Sequence, residues 1–271
     1  MDREKARLLV RETIGEAVLL LEMEGLPIPV ALKRRDPREP RRREKERAED
    51  RITEIVLRHW RKQRGKLREY FAEVAPGRKQ MGNPLGEPDE EDVAELMLVM
   101  SDAAMGGIGL FGEAVGGRLD MTSPRARAIA WASRHAGELI TQIDITTRDA
   151  VAQAVAAFME TDGMTLSEVV NLLPFDESRA TQIAVTEITS SYAQGQLLAG
   201  DEMRAEFPGV AVTKTWFTNA DDLVCSVCGP MDGQETDLDG VFEGGDGEKY
   251  TEPAVHPHCR CWIDVTTDIL A

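Results

Sequence analysis

The stretch Cys225-Ser226-Val227-Cys228 and the stretch His256-Pro257-His258-Cys259-Arg260-Cys261 contain all four cysteines of this 271-residue chain. A cysteine pair with two intervening residues forms a turn whose thiolates converge on one ion. Four such ligands make the closed tetrahedral shell of a structural zinc site. Thiolate and imidazole ligands favour zinc, although they also suit iron. The pattern therefore predicts a zinc site, with the ligands drawn from five residues: Cys225, Cys228, His256, Cys259 and Cys261.

Within that set, Cys225 and Cys228 are the first choice of ligands, and His256 and Cys259 repeat their spacing. Cys261 is either an alternative ligand or a supporting thiol. Other interpretations stay open: a redox pair, a disulfide between the two clusters, or buried thiols without a metal.

A catalytic zinc needs an open coordination position and a nearby general base. The abundance of soft ligands disfavours such an open position, so we expect a structural cofactor and no enzymatic activity. A zinc-dependent nuclease is the alternative, because His256, His258 and several aspartates lie close together in the sequence.

The sequence around the cysteines changes character near Pro208. Residues 210–218 and 262–266 are rich in β-branched and aromatic residues, which predicts two short strands. The preceding chain has apolar residues at helical spacing. Helices are predicted over 3–24, 45–74, 88–104, 123–140, 146–159, 165–173 and 176–202, and the glycines at 106–117 are either closely packed or loosely helical.

These elements predict an α+β fold, in which a mainly α-helical body is followed by a small β-containing module stapled by zinc. We divide the chain into a basic N-terminal helical arm with a Pro/Arg-rich linker (1–87), an α-helical body (88–207) and a Cys/His module with short strands (208–271). The content of 42% apolar and 30% charged residues excludes wholesale disorder.

The charge is unevenly distributed. The chain has a net charge of −16, yet residues 1–80 contain 22 basic and 15 acidic residues. Basic triplets beside prolines in the linker 26–45 predict an exposed segment rather than a packed helix. We expect this segment to contact an anionic protein surface or DNA through Lys33, Arg34, Arg35, Arg41, Arg42 and Arg43. A solvated spacer without a partner is the competing interpretation.

The start of the chain is charged, and no apolar run approaches 18 residues. We therefore expect neither an export signal nor a membrane span.

The string from Trp216 to Cys261 resembles the C-terminal domain of phage Mu F-like head morphogenesis proteins, which are minor capsid proteins of tailed phages. The final His-Pro-His-Cys-Arg-Cys run, residues 256–261, is the most specific part of the resemblance. The segment Ser178–Glu187 is similar to the family's Arg-Ala-x-x-Ile-Ala-x-Thr-Glu core, except that Val185 stands where an arginine is common. The resemblance covers about residues 125–265.

The resemblance implies a structural component of the virion that is associated with the portal vertex and acts in head assembly or in DNA packaging and delivery. The implied partners are the portal protein, the major capsid protein and packaged double-stranded DNA, with several copies of the chain in each virion. The implied location is the capsid interior or the portal vertex, after assembly in the host cytoplasm.

Overall fold

A computed structural model describes residues 36–268, apart from 37, 75–84, 86–88, 117–118, 161–167, 169–172, 174, 220 and 222. Long helices are followed by a small sheet region that carries the Cys/His cluster. The α+β prediction, a mainly helical body followed by a small strand-containing module, is therefore confirmed. The predicted helices at 3–24 and 165–173 lie outside the described residues, except for Glu168 and Leu173.

Four long helices make up the described part of the body. They are α1 (Arg42–Val74), α2 (Glu90–Ala114), α3 (Thr122–Glu160) and α4 (Glu177–Glu206). Asp89 and Asp176 cap α2 and α4, because each side chain accepts hydrogen bonds from backbone N–H groups of the first turn. The apolar faces of all four helices meet in one core that includes Ile55, Trp60, Met100, Ile140 and Ile188. Helix α1, which the sequence analysis assigned to the N-terminal arm, thus packs into the body.

The C-terminal module contains five short strands. They are β1 (Val212–Phe217), β2 (Glu235–Asp237), β3 (Phe242–Glu243), β4 (Lys249–Tyr250) and β5 (Trp262–Thr267). Strand β1 is the centre of an antiparallel sheet with the order β2-β1-β5, and β3 and β4 form a separate hairpin. Trp216 and Phe242 are fully buried and meet edge to face between these two sheets. The module's core is continuous with Ile108, Phe111 and Leu198 of the helical body.

Helices α2 and α4 cross without side chains between their backbones. A Cβ on Gly107 would collide with the carbonyl oxygen of Tyr192, and a Cβ on Gly195 would collide with that of Ala104. This close approach explains why α2 continues ten residues beyond its predicted end at Ala104, through the glycine-rich stretch. The glycines are thus closely packed and helical.

Helix α3 also differs from the prediction, which divided it at residues 141–145. The Ile and Thr residues there favour a break. However, the hydroxyls of Thr141, Thr146 and Thr147 donate to the carbonyl oxygens four residues earlier, which satisfies them inside the helix. Ile143, Asp144 and Thr147 also continue the buried stripe of the helix. One continuous helix results.

The second half of the linker is not the exposed segment that the sequence predicted. Asp36, Glu39 and Lys45 are buried, and Arg42 and Arg43 belong to the first turn of α1. Arg42 pairs with Glu46 one turn later, so the basic run is compatible with a packed helix. The exposed-segment prediction is therefore wrong for Asp36, Glu39 and Lys45, whereas Arg38, Arg43 and Glu44 are exposed.

Helix α2 is, within the described residues, the one helix long and apolar enough to cross a membrane. Half of its most apolar 18-residue window is buried inside the protein. Its packing against the other three helices is the ordinary environment of a core helix. The expected lack of a membrane span stays a prediction.

Candidate metal centre

The first ligand loop lies between β1 and β2. The backbone N–H of Gly229 donates to the carbonyl oxygen of Cys225 at 2.9 Å, and the N–H of Cys228 points at the sulfur of Cys225 at 3.3 Å. Pro230 then fixes a 3₁₀ turn over Gly229–Met231. This tight turn brings both sulfurs to the same side of the loop, as the Cys-x-x-Cys spacing predicts.

The glycine-rich turn between β3 and β4 packs against this loop. The N–H of Gly245 donates to the carbonyl oxygen of Val227 at 3.0 Å. A Cβ at Gly245 would collide with the carbonyl oxygen of Ser226, so a larger residue would push the hairpin away from the cysteine turn. The glycines therefore have a packing role beside the ligands.

Helix α4 holds the second ligand loop. The hydroxyl of Thr186 accepts a hydrogen bond from the backbone N–H of His258 at 2.9 Å, and the hydroxyl of Thr189 donates to the carbonyl oxygen of Cys259 at 3.0 Å. His258 has a φ of 59°, a left-handed conformation that non-glycine residues adopt only under constraint. The two threonines supply that constraint.

The two loops bring all five predicted ligands together. The sulfurs of Cys225 and Cys228 each lie 3.2 Å from Nε2 of His256, and the sulfur of Cys228 lies 4.0 Å from that of Cys259. The ligand atoms form two groups that share Cys228: Cys225, Cys228 and His256 in one, and Cys228, Cys259 and Cys261 in the other. Within each group these atoms all lie within 4.8 Å of one another, close enough to bind a metal ion.

The imidazole of His256 is oriented for ligation. Its Nδ1 lies 2.7 Å from the carbonyl oxygen of Pro257, and a carbonyl can only accept, so Nδ1 carries the proton. In the neutral form of the ring, which is the form that binds a metal, Nε2 would present its lone pair to the sulfurs. A carbonyl partner on the other ring nitrogen is the usual support of a metal-binding histidine. The residues present therefore fit a metal ion.

The cysteines divide into proton donors and acceptors. Hydrogen bonding from Cys228, assisted by His256, lowers the pKa of Cys225 to about 5. The pKa of Cys259 is also lowered, by hydrogen bonding with the neighbouring Cys228 and Cys261. Since all four cysteines are buried, these ionised thiolates have little solvent to stabilise them. A bound cation would supply the missing positive charge.

The remainder of helix α4 contributes residues that sequence reasoning missed. The hydroxyl of Ser190 accepts from the N–H of Ala254. The amide of Gln196 donates to the carbonyl oxygen of Ile263 at 2.6 Å and accepts from the N–H of Val265 at 3.1 Å, so this side chain pairs with β5 as a neighbouring strand would. The available signal was a row of polar residues at helical spacing on the buried face of α4: Thr186, Thr189, Ser190 and Gln196.

Apart from His256, the described candidate residues of the nuclease alternative lie outside the two ligand groups. His258 is buried and does not belong to either ligand group. The carboxylate of Asp221 receives both guanidinium nitrogens of Arg260, at 2.7 and 3.1 Å. Asp232 accepts from the backbone N–H and the hydroxyl of Thr218. These aspartates therefore hold loops together.

The structure brings few of the predicted basic contact residues together. Lys33, Arg34 and Arg35 lie outside the described residues. Arg41 bonds Glu113 on α2 at 2.5 Å, and Arg42 pairs with Glu46, whereas Arg43 is exposed. Two of these three arginines thus have acidic partners within the chain, and their predicted contact with a partner or with DNA remains a prediction.

A second buried polar cluster, which the sequence did not predict, lies in the helical body. His59 of α1 has its Nδ1 3.1 Å from Asp92 of α2 and its Nε2 2.9 Å from Asp144 of α3. Burial lowers the pKa of His59, but hydrogen bonds and charge attraction from Asp144 and Asp92 together outweigh it, so the pKa is raised. A protonated ring donates to both carboxylates and ties three helices together.

Asp92 has further cationic neighbours. Arg58 donates to it from two nitrogens, at 2.9 and 3.0 Å, and Lys62 lies 3.3 Å away. Gln63 bonds Asp144. The buried carboxylates are thus compensated by donors from α1, which is the condition for burying charge.

Comparison of the chain with protein-family profiles, with curated proteins and with solved structures gives no match. The phage resemblance therefore depends on the quoted motifs alone.

Proposed function

We propose that the chain is a structural protein of a tailed-phage head, with a C-terminal module folded around one zinc ion. The observation that carries the metal part is the convergence of four cysteines and His256 in a buried site built from two separate loops. The phage part is supported by the resemblance of residues 125–265, above all by the final His-Pro-His-Cys-Arg-Cys run.

Zinc is the ion that this donor set favours. It accepts four thiolates, or three thiolates with imidazole as the fourth ligand, in tetrahedral geometry. Oxygen-preferring cations such as magnesium and calcium would leave buried thiolates poorly compensated.

A structural role fits the site better than a catalytic one. Five soft ligand atoms are available for the four positions of a tetrahedral ion, so a position for a reactive water is not left open. The nearby carboxylates of Asp221 and Asp232 are held by hydrogen bonds and are poorly placed to act as bases. The chain is thus proposed to have no enzymatic activity, against the alternative of a zinc-dependent nuclease or DNA-binding protein.

The proposed partners are the portal protein, the major capsid protein and packaged DNA, and the proposed location is the portal vertex or the capsid interior. The acidic character of residues 81–271, with 33 acidic and 10 basic residues, disfavours a broad DNA-binding face there. Contacts with DNA would then depend on the basic residues of the N-terminal third.

The metal part is tested by elemental analysis of protein purified without chelator. We expect about one zinc per chain, because the described ligands form a single cluster. Protein without any metal, or a C-terminal module that keeps its full stability in strong chelator, would contradict the proposal.

The phage part is tested in two steps. The gene should lie beside a portal gene, and co-expression with the neighbouring portal and capsid genes should give particles that contain the chain after density-gradient purification. A matched particle preparation that lacks the portal protein is the control. Particles that form normally and exclude the chain would contradict the head role, and zinc-dependent DNA cleavage would support the nuclease alternative.

A further inference from the structure

The described chain begins beside the metal centre. We use "strap" for residues 36 and 38–45, which lead into and begin α1. The backbone N–H of Asp36 donates to the side-chain oxygen of Asn219 at 2.6 Å, and both residues are buried. Arg38 forms a bidentate ion pair with Asp36, and the pKa of Arg38 is raised first by Asp36 and additionally by the charge of Asp232. The strap thus touches the module just before the Cys225–Cys228 turn.

The other end of the strap is fixed in the core of the body. Lys45 pairs with Glu39 at 2.6 Å, and both side chains are almost completely buried. The ammonium of Lys45 also lies 4.6 Å from the centre of the Tyr192 ring, on helix α4. The contacts named for this end lie within the strap and on α4, whereas the Asp36 end is bound to the loop that precedes Cys225.

A continuous chain of hydrogen bonds joins Asn219 to both ligand loops. The amide nitrogen of Asn219 donates to Asp221 at 2.9 Å, and Asp221 binds Arg260 through both guanidinium nitrogens. Asp221 is four residues before Cys225, and Arg260 stands between Cys259 and Cys261. The Asp221–Arg260 pair therefore bridges the same two loops that a metal ion would bridge.

We propose that metal binding and docking of the strap are coupled through Asn219, Asp221 and Arg260. The inference depends on the metal site of the proposed function. A bound ion fixes the spacing of the two loops and thereby the position of Asn219. Without it, the ligand atoms of the two loops lose their shared partner, the loops can separate, and Asp36 loses its acceptor.

Coupling of this kind is reciprocal: if the metal stabilises the docked strap, the docked strap must stabilise the bound metal by the same factor. A variant that releases the strap should therefore bind zinc more weakly, although it changes no ligand. This consequence separates the proposal from simple unfolding of a module that has lost its metal.

The first experiment measures hydrogen exchange of the full chain, with zinc bound and after chelation. We expect amides of residues 36–45 to exchange at least about tenfold faster without zinc, which corresponds to about 1.4 kcal/mol. Amides in the middle of α1 should stay protected. Faster exchange in the Cys/His loops with an unchanged strap would overturn the coupling while leaving the metal site intact. Protein that never contains a metal would overturn the metal site itself, and the coupling with it.

The second experiment uses Asn219→Ala in the zinc-loaded chain. We expect the strap to be released. We also expect the equilibrium constant for zinc transfer to a chromophoric chelator to be at least about tenfold larger than for the unchanged chain. Gln234→Ala is the matched control, because this amide also bonds within the module, to Pro230 and Glu243, without a described contact to the strap. A released strap with unchanged zinc transfer, or equal effects of the two substitutions, would overturn the proposal.

Discussion

The molecule has two buried polar centres that are built in opposite ways. The cysteine site takes its ligands from two short stretches, residues 225–228 and 256–261, in which the spacing alone indicates the chemistry. The His59 cluster takes one residue from each of three helices, and His59 lies 33 residues from Asp92 and 85 from Asp144. A local centre is visible in the sequence, whereas a centre assembled by helix packing is visible only in the fold.

The two centres also differ in how they compensate buried charge. The His59 cluster contains its own basic groups opposite its carboxylates, namely the cations Arg58 and Lys62 and the imidazole of His59, whose pKa is raised. The cysteine site contains thiolates and one imidazole, and its charge balance calls for an added cation. Loss of a single group should therefore have a larger effect at the cysteine site, and the predictions below test this order.

The largest effect is expected for Cys228→Ser, because Cys228 is the one cysteine shared by both ligand groups. Zinc should be lost, and the module should unfold while the helical body keeps its circular dichroism. Binding energy in structural zinc sites is folding energy, about 10–16 kcal/mol in small peptides. Elemental analysis and limited proteolysis measure the two consequences.

The matched variant is Cys261→Ser, which changes a thiol that belongs to only one of the two ligand groups. If Cys261 is a supporting thiol, this variant keeps close to one zinc per chain and a protease-resistant module. Equal loss of zinc in both variants would show instead that Cys261 is an obligatory ligand.

His59→Leu comes next in size. It leaves the buried carboxylates of Asp92 and Asp144 without their shared cation, and breaking a buried pair typically costs about 3–5 kcal/mol. Asp92 retains Arg58 and Lys62, so Asp144 should be the main source of the loss. Urea denaturation of the zinc-loaded chain measures the change.

Two controls identify the cause of that loss. The double variant His59→Leu/Asp144→Leu should recover part of the stability, because the uncompensated charge has gone with its partner. Asp102→Asn removes an exposed partner of Arg51 and should change stability by less than about 1 kcal/mol. A double variant that is no more stable than His59→Leu would show that packing, not charge, limits this site.

Sequence reasoning predicted the class of the fold and the approximate location of the four described helices because apolar periodicity and turn residues are local. It placed Asp176 at the start of α4 and predicted the cysteine ligands for the same reason. It ended α2 too early because its glycines are helix breakers in isolation, and only the crossing with α4 makes them favourable. It treated residues 36–45 as exposed because hydrogen-bond partners such as Asn219, which accepts from the N–H of Asp36, lie far along the chain.

The junction between the two centres is the crossing of α2 and α4, and Gly195→Ala tests it. The added methyl group would meet the carbonyl oxygen of Ala104, so the helices must separate, at a cost of about 1–3 kcal/mol. Because α4 contacts both the helical core and the cysteine module, thermal unfolding should shift downward for both regions. Gly137→Ala is the control: no atom lies within 4 Å of the added group, so this helical position should become more stable, by up to about 1 kcal/mol.

The smallest effect is expected from a rise in pH, which removes one proton from His59 and leaves its side chain in place. The folded-state pKa of His59 is raised above the ordinary value of about 6.5, so its contribution to stability is complete below that value. The contribution is lost as pH rises through the raised folded-state pKa, because a neutral ring can donate to only one of its two carboxylates.

His135, whose pKa is raised by its hydrogen bond to Glu187, acts in the same direction. His135→Gln removes that second contribution. The free energy of unfolding of the zinc-loaded His135→Gln chain should therefore still fall between neutral and alkaline pH, and the fall should disappear when His59→Leu is added. If the fall persists unchanged in the double variant, His59 is not the group that titrates, and the helical body does not depend on the proton that its geometry assigns to this ring.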